Sequence, residues 1–351
     1  MASHTPLGWR PLLLLVLTGL AGTVCDAALA ADDVVYLLPE AGGRGPRSFS
    51  GQVVDYTGRE LRLRLSTGKE RAIPTAQIEH VETTHSADQA AGDELFADHD
   101  YRLALAKYRS ALETDRETRG WMRRQILAQV VWCQRATGQW DQAGETFLML
   151  LPKDPDTPYF DCIPLAWTTA QTSGALEAKA KTWLARGDNP TAVLIGASHL
   201  LTTRSRPAAL EKLTALAENP DPRIAWLAQT QLWRTTSTQA GENDLRRWGE
   251  LLEKSPESLR AGPCFVLGSA WISRDPELAA LLLMKLPILY SRERTLSAAA
   301  LLSAGGCLEK ISQKSQAAEV YRELLAGYAE LPEAGEAKRR LLGLAAAEKR
   351  N

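Results

Sequence analysis

The sequence predicts a mainly α chain, an α-solenoid of helix pairs over residues 86–347 preceded by a small all-β, barrel-like module at 32–83. Three observations predict this division. From Asp32 to Thr84, apolar and polar residues alternate at period two, as half-buried strands require. Beyond Thr84 the period becomes helical and remains so. Within that second region a capping side chain precedes proline at Asn189–Pro190, Asp221–Pro222, Ser255–Pro256 and Asp275–Pro276. The cap accepts a hydrogen bond from an otherwise orphaned N–H, and proline has no N–H to leave unpaired, so each dipeptide marks a helix start.

The first element is a leader. Arg10 precedes an apolar run, "PLLLLVLTGLAG" at 11–22, and "ALA" at 28–30 precedes Ala31. That order of basic, apolar and small residues is the pattern of a secretion signal. The run is shorter than the ~20 residues a spanning helix needs. Residues 1–30 are therefore expected to be cleaved, leaving an exported chain, periplasmic or secreted, with no membrane span.

The β module follows. "DVVYLL", "FSGQVVDYTG", "RELRLRLSTG", "ERAIP" and "QIEHVET" read as short strands, with Leu61, Leu63 and Leu65 on one face and Arg62 and Arg64 on the other. "YTGRE" and "STGKE" supply glycine-containing hairpin turns. The proline-led break in "AIPTAQIEHV" resembles the last strand–turn–strand of SH3-like and Sm-like barrels, which implies a small closed barrel. Its arginines and Lys69 form a basic strip, expected to be a solvated face that protects strand edges.

About fourteen or fifteen helices joined by short turns follow, roughly seven pairs of solenoid length. In "DYRLALAKYRSAL" Ala104 precedes Tyr108 by four, and Ala111 follows three later; Tyr101 lies seven before Tyr108. The same offset recurs at Ala143, Phe147 and Leu150, and at Ala317, Tyr321 and Leu324. Antiparallel helices approach closely only where a small residue faces a bulky one, so these positions are expected to pack helix against helix. The "AAGDELF", "VVWCQ" and "LLSAGGCLE" stretches put slim residues on the preceding helices.

This spacing resembles the tetratricopeptide repeat (TPR), most clearly at 88–115, 124–155 and 298–331. The stretch 156–297 reads as degenerate repeats or as another α-solenoid, and 332–347 as a capping helix with a polar face. The resemblance implies a concave surface lined by first-helix residues that binds other proteins or peptides. Carried onto this chain, that surface is Gln89, Asp93 and Phe96 in the first unit. In the second it is Gln125, Ala128, Trp132 and Arg135, with Trp132 the strongest anchor candidate. The lysine and asparagine cluster with which some relatives clamp a terminal carboxylate is not at these positions.

Composition limits the function classes. With 41 basic and 42 acidic residues the net charge is −1, so no nucleic acid is expected as partner. There is no GxSxG, HExxH, P-loop or dinucleotide fingerprint, and the five histidines are scattered. "AGGRGP" at 41–46 reads as a hairpin loop. Neither catalysis nor a cofactor or metal is expected. Cys133, Cys162, Cys264 and Cys307 have irregular spacing and read as buried small side chains. The expectation is an exported, non-catalytic interaction scaffold or adaptor. The alternative is a structural or enzymatic component associated with an envelope polymer such as peptidoglycan.

Overall fold

The computed structural model describes residues 33–39, 47–113, 117–169 and 172–348. The expected leader at 1–30, the glycine-rich 41–46 and part of the 115–120 loop lie outside the described residues. The described chain is mainly helical, with a small antiparallel sheet at its N-terminal end.

Five strands form the sheet: β1 (Asp33–Leu37), β2 (Ser48–Tyr56), β3 (Glu60–Arg64), β4 (Glu70–Pro74) and β5 (Ile78–Glu82). Their order is β4-β3-β2-β1-β5, so the sheet is open, and the expected barrel is corrected. Closure would require β4 to pair with β5. Instead they are the two edges, joined by a 3-10 turn at Thr75–Gln77 that sends β5 onto β1. A barrel buries its inner face on itself. Here Val35, Val53, Leu61, Leu63 and Ile73 share one buried cluster with Tyr108, Trp121 and Met122 of the helices, so helices take the role that closure would have had.

Hydrogen bonds and an ion pair fix that docking. The Trp121 indole Nε1–H donates to Val53 O at 3.2 Å. Arg124 donates to Asp55 Oδ1 at 2.6 Å and to Tyr56 O at 2.8 Å. Arg119 reaches Thr83 Oγ1 and Thr84 O, each at 2.8 Å, while paired with Glu117 at 2.7 Å.

Fourteen helices are present among the described residues. They are α1 (Ala87–Ala97), α2 (Tyr101–Glu113), α3 (Gly120–Ala136), α4 (Trp140–Leu148), α5 (Gly174–Leu184), α6 (Pro190–Leu200) and α7 (Arg206–Leu216). There follow α8 (Pro222–Thr236), α9 (Glu242–Lys254), α10 (Ala261–Trp271), α11 (Pro276–Leu289), α12 (Arg294–Lys310), α13 (Lys314–Gly327) and α14 (Pro332–Glu348). Three of the proline dipeptides start helices, with Asn189, Asp221 and Asp275 each accepting from a first-turn N–H. Ser255–Pro256 does not. Ser255 Oγ donates back to Leu252 O at 2.7 Å, ending α9, and a 3-10 turn at Glu257–Leu259 intervenes before α10.

Consecutive helices pack on one another, α8 and α9 through the stacked Trp233 and Trp248 rings, and α6 also touches α8, α8 touches α10, α10 touches α12 and α12 touches α14. The bulky rings of the repeated spacing are buried: Tyr108, Phe147 and Tyr321 are 0% exposed, as are Ala104, Ala143 and Ala317. Ala111 and Tyr101 are buried too. Each tyrosine lies on a glycine of the preceding helix. A Cβ at Gly92 would stand 2.8 Å from Tyr108, and one at Gly305 only 2.3 Å from Tyr321. In the second pair, Phe147 meets the Phe160 ring edge-on at 5.6 Å. The four described cysteines are free and buried.

Candidate functional site

Between α4 and α5 the described residues, 149–169 and 172–173, contain no α-helix. Pro152, Pro155, Pro158 and Pro164 explain this, since proline lacks a donor and clashes with a preceding helical turn. This strap is nonetheless embedded. Phe160, Cys162, Ile163 and Leu165 are buried. Asp154 accepts from Gly58 N at 3.2 Å, tying the strap to the β2–β3 turn.

Alternate helices hold the strap by its main chain. From α6, the His199 ring Nε2 lies 3.0 Å from Pro164 O, and Ser198 Oγ accepts from Ala166 N at 3.2 Å. From α8, Gln231 donates to Ala166 O at 3.1 Å. Arg234 donates to Ala166 O at 2.7 Å and Thr168 O at 2.8 Å. Arg223 donates to Pro155 O at 2.8 Å and covers the Phe160 ring at 4.2 Å. From α10, Gly262 leaves room for the Trp167 indole, which a Cβ there would meet at 1.9 Å.

Burial tunes the groups that grip it. It depresses His199 to about 4, so the ring is neutral at pH 7 and donates its proton to Pro164 O. Burial also lowers Arg234, to about 10, which leaves it charged at neutral pH.

Beyond the strap lies a cavity of about 780 Å³, within the ~300–1,000 Å³ range of ligand pockets. The strap gives it one wall with Ala166, Trp167 and Thr168. The turn between α1 and α2 contributes His99 and Tyr101, and the turn between α3 and α4 contributes Thr137 and Trp140. The start of α12 supplies Glu293, Arg294 and Thr295, and the α13–α14 turn supplies Glu330 and Glu333. Segments far apart in sequence therefore converge on one space. His99, Asp100, Gly138, Glu330 and Pro332 are exposed, so the space opens to solvent on that side.

Two ion pairs hold the converging segments. Arg135 Nη2 and Glu293 Oε2 are 2.5 Å apart, at 5% and 12% side-chain exposure. Arg294 donates to Glu330 at 2.5 Å and to Gly327 O at 2.6 Å, with its guanidinium 4.7 Å from the Tyr328 ring centroid. Burial pushes the Glu330 carboxyl up, but the Arg294 hydrogen bond and charge prevail and hold it below its ordinary value. Burial pushes the Tyr101 hydroxyl up to about 12. The two Arg-bound carboxylates and the bonded His199 serve to position the walls. Rings, hydroxyls and the open rim remain for a ligand. Among the described residues no group of three or more His, Cys, Asp or Glu side chains could hold a metal ion.

The residues expected to face a partner lie elsewhere. Gln89 is 1% exposed, and its Nε2 lies 3.0 Å from Met122 Sδ. Asp93 accepts from Tyr108 OH at 2.7 Å and lies 2.8 Å from His85 Nδ1. Phe96 packs edge-on against Tyr101 at 5.1 Å. Gln125 is half-buried and Ala128 buried. Trp132 is buried beneath the Arg135 guanidinium at 4.3 Å, and Arg135 is committed to Glu293. None of these residues lines the cavity. Sequence reasoning missed Trp140, Trp167, Arg234 and Arg294; the available signal was the spacing of Pro152, Pro155 and Pro158 within an otherwise helical stretch.

No family model matches the chain, and a search of curated proteins finds no match. No described helix is long and apolar enough to cross a membrane.

Proposed function

We propose that this chain is an exported, non-catalytic interaction scaffold built as an α-solenoid of TPR-like helix pairs, and that it holds a segment of a partner protein in the strap-walled cavity. The TPR-like reading is supported by the tyrosine-on-glycine contacts of Gly92 with Tyr108 and Gly305 with Tyr321. It is also supported by the contacts between alternate helices from α6 to α14. Export rests on the apolar run at 11–22 and the "ALA" at 28–30.

The observation that carries the binding reading is the open space of about 780 Å³ whose lining includes Tyr101, Trp140 and Trp167. The faces of α6 and α8 toward the strap are already occupied by the chain itself. A partner therefore engages the space the strap leaves open. The test is site-specific photocrosslinking in the native cell, with the reactive side chain at Thr137 or, as control, at Leu342, which is 64% exposed on α14. A protein adduct formed from Thr137 and absent from Leu342 supports the reading. Identical adduct patterns from both positions sink it.

A further inference from the structure

We infer that the ligand is an extended peptide segment which pairs its main chain with the outer edge of the strap at Trp167 and places one large apolar side chain in the cavity. This deepens the binding reading above and rests on it. The first observation is a main-chain asymmetry. Ala166 N, Ala166 O and Thr168 O are all bonded by side chains of α6 and α8. Trp167, between them, has no hydrogen-bond partner for its N–H or its C=O among the described residues.

The second observation is placement. Trp167 borders the cavity, so an entering strand meets a free donor and a free acceptor on one residue, the unit from which a two-bond strand pair is made. Unpaired edges of this kind are what β-augmentation uses: main-chain bonds supply affinity and a pocket beside them supplies selectivity. The third observation is the character of that pocket. Trp140, Leu176, Leu296 and Leu331 line it beside hydroxyls at Thr137 and Thr295, and Asp100, Glu330 and Glu333 add carboxylates on the open side. Such a lining accepts a leucine- or phenylalanine-sized side chain and penalises a carboxylate that would lose its water there. The recognition element is the strap edge, distinct from the helix faces at Gln125 and Trp132.

The test is calorimetric titration of the chain lacking residues 1–30 with capped pentapeptides, Ac-Ala-Ala-Leu-Ala-Ala-NH2 as probe. Three comparison peptides carry central phenylalanine, central aspartate or N-methylated leucine. Leucine or phenylalanine peptides bind, and N-methylation, which removes the pairing N–H, weakens binding at least tenfold. Aspartate weakens it comparably. Thr295→Arg, which fills the space from α12, abolishes binding while its urea midpoint shows that it folds. Equal affinity for the N-methylated peptide overturns strand pairing. Equal affinity for the aspartate peptide overturns the apolar pocket. Absence of binding by both the leucine and phenylalanine peptides, together with a specific adduct from Thr137, overturns this inference and leaves the scaffold reading intact.

Discussion

Gly305→Ala is a sensitive probe of how the helices are packed. A Cβ at this position would lie 2.3 Å from Tyr321 Cε1, 2.7 Å from Cζ and 2.9 Å from Cδ1. Carbon atoms pack at ~3.5 Å or more, so the nearest ring atom falls short by ~1.2 Å. The ring cannot easily retreat. It is 0% exposed, and its hydroxyl is anchored to Glu309 and lies near Arg340. Overpacking of this kind costs ~1–3 kcal/mol, and with three ring atoms inside contact distance the upper part of that range applies. Alanine is also the better helix former by ~1 kcal/mol. The net expectation is a loss of ~2 kcal/mol. Gly343→Ala in α14 is the matched control, because nothing lies within 4 Å of its Cβ position. It retains only the propensity gain and is expected to stabilise by ~0.5–1 kcal/mol. Urea titrations followed by circular dichroism read both as midpoint shifts at constant slope. If Gly305→Ala matches or exceeds the unsubstituted chain while Gly343→Ala gains, the tyrosine-on-glycine packing argument fails.

Two further outcomes follow from buried charge. His199 stands at about 4 in the folded chain against an ordinary value of 6.5. Its stabilising contribution is therefore complete above pH 6.5 and is lost as the pH falls toward 4, by on the order of 3 kcal/mol. The stability difference between the chain and His199→Gln, measured by urea titration from pH 7 to 4, should shift across that window; a constant difference refutes the assignment. Arg135→Ala strands Glu293 in a site of 12% side-chain exposure and should cost ~3–5 kcal/mol. Arg135→Met combined with Glu293→Gln should recover at least half of that loss, and a double-mutant cycle showing simple additivity would contradict a coupled pair.

Part of this architecture was legible locally. The alternation of Leu61 and Leu63 with Arg62 and Arg64 marks a strand with one buried face, and in β3 the leucines are buried and the arginines exposed. Asparagine or aspartate before proline at 189, 221 and 275 marks helix starts, because a cap bond involves residues only two or three apart. Ser255–Pro256 looked the same and ended a helix instead. The serine hydroxyl is both donor and acceptor, and here the donor role toward Leu252 O prevailed. The candidate site was far less legible. Its walls come from residues in 99–102, 136–140, 166–168, 293–296 and 330–333, with Thr172, Leu176 and His199, which no sequence window contains together.

The sequence by itself determined where strands give way to helices, where several helices begin, and which side chains are small enough to sit beneath a ring. These are consequences of hydrogen-bond reach and side-chain volume along a few turns of chain. Only the tertiary structure decided that the sheet stays open with Trp121 against it, that Trp132 and Arg135 are sealed by Glu293, and that a proline-rich strap lies along α6, α8 and α10. Periodicity tells which face of an element is apolar, but what covers that face is settled by segments more than a hundred residues away, as Arg135 and Glu293 are.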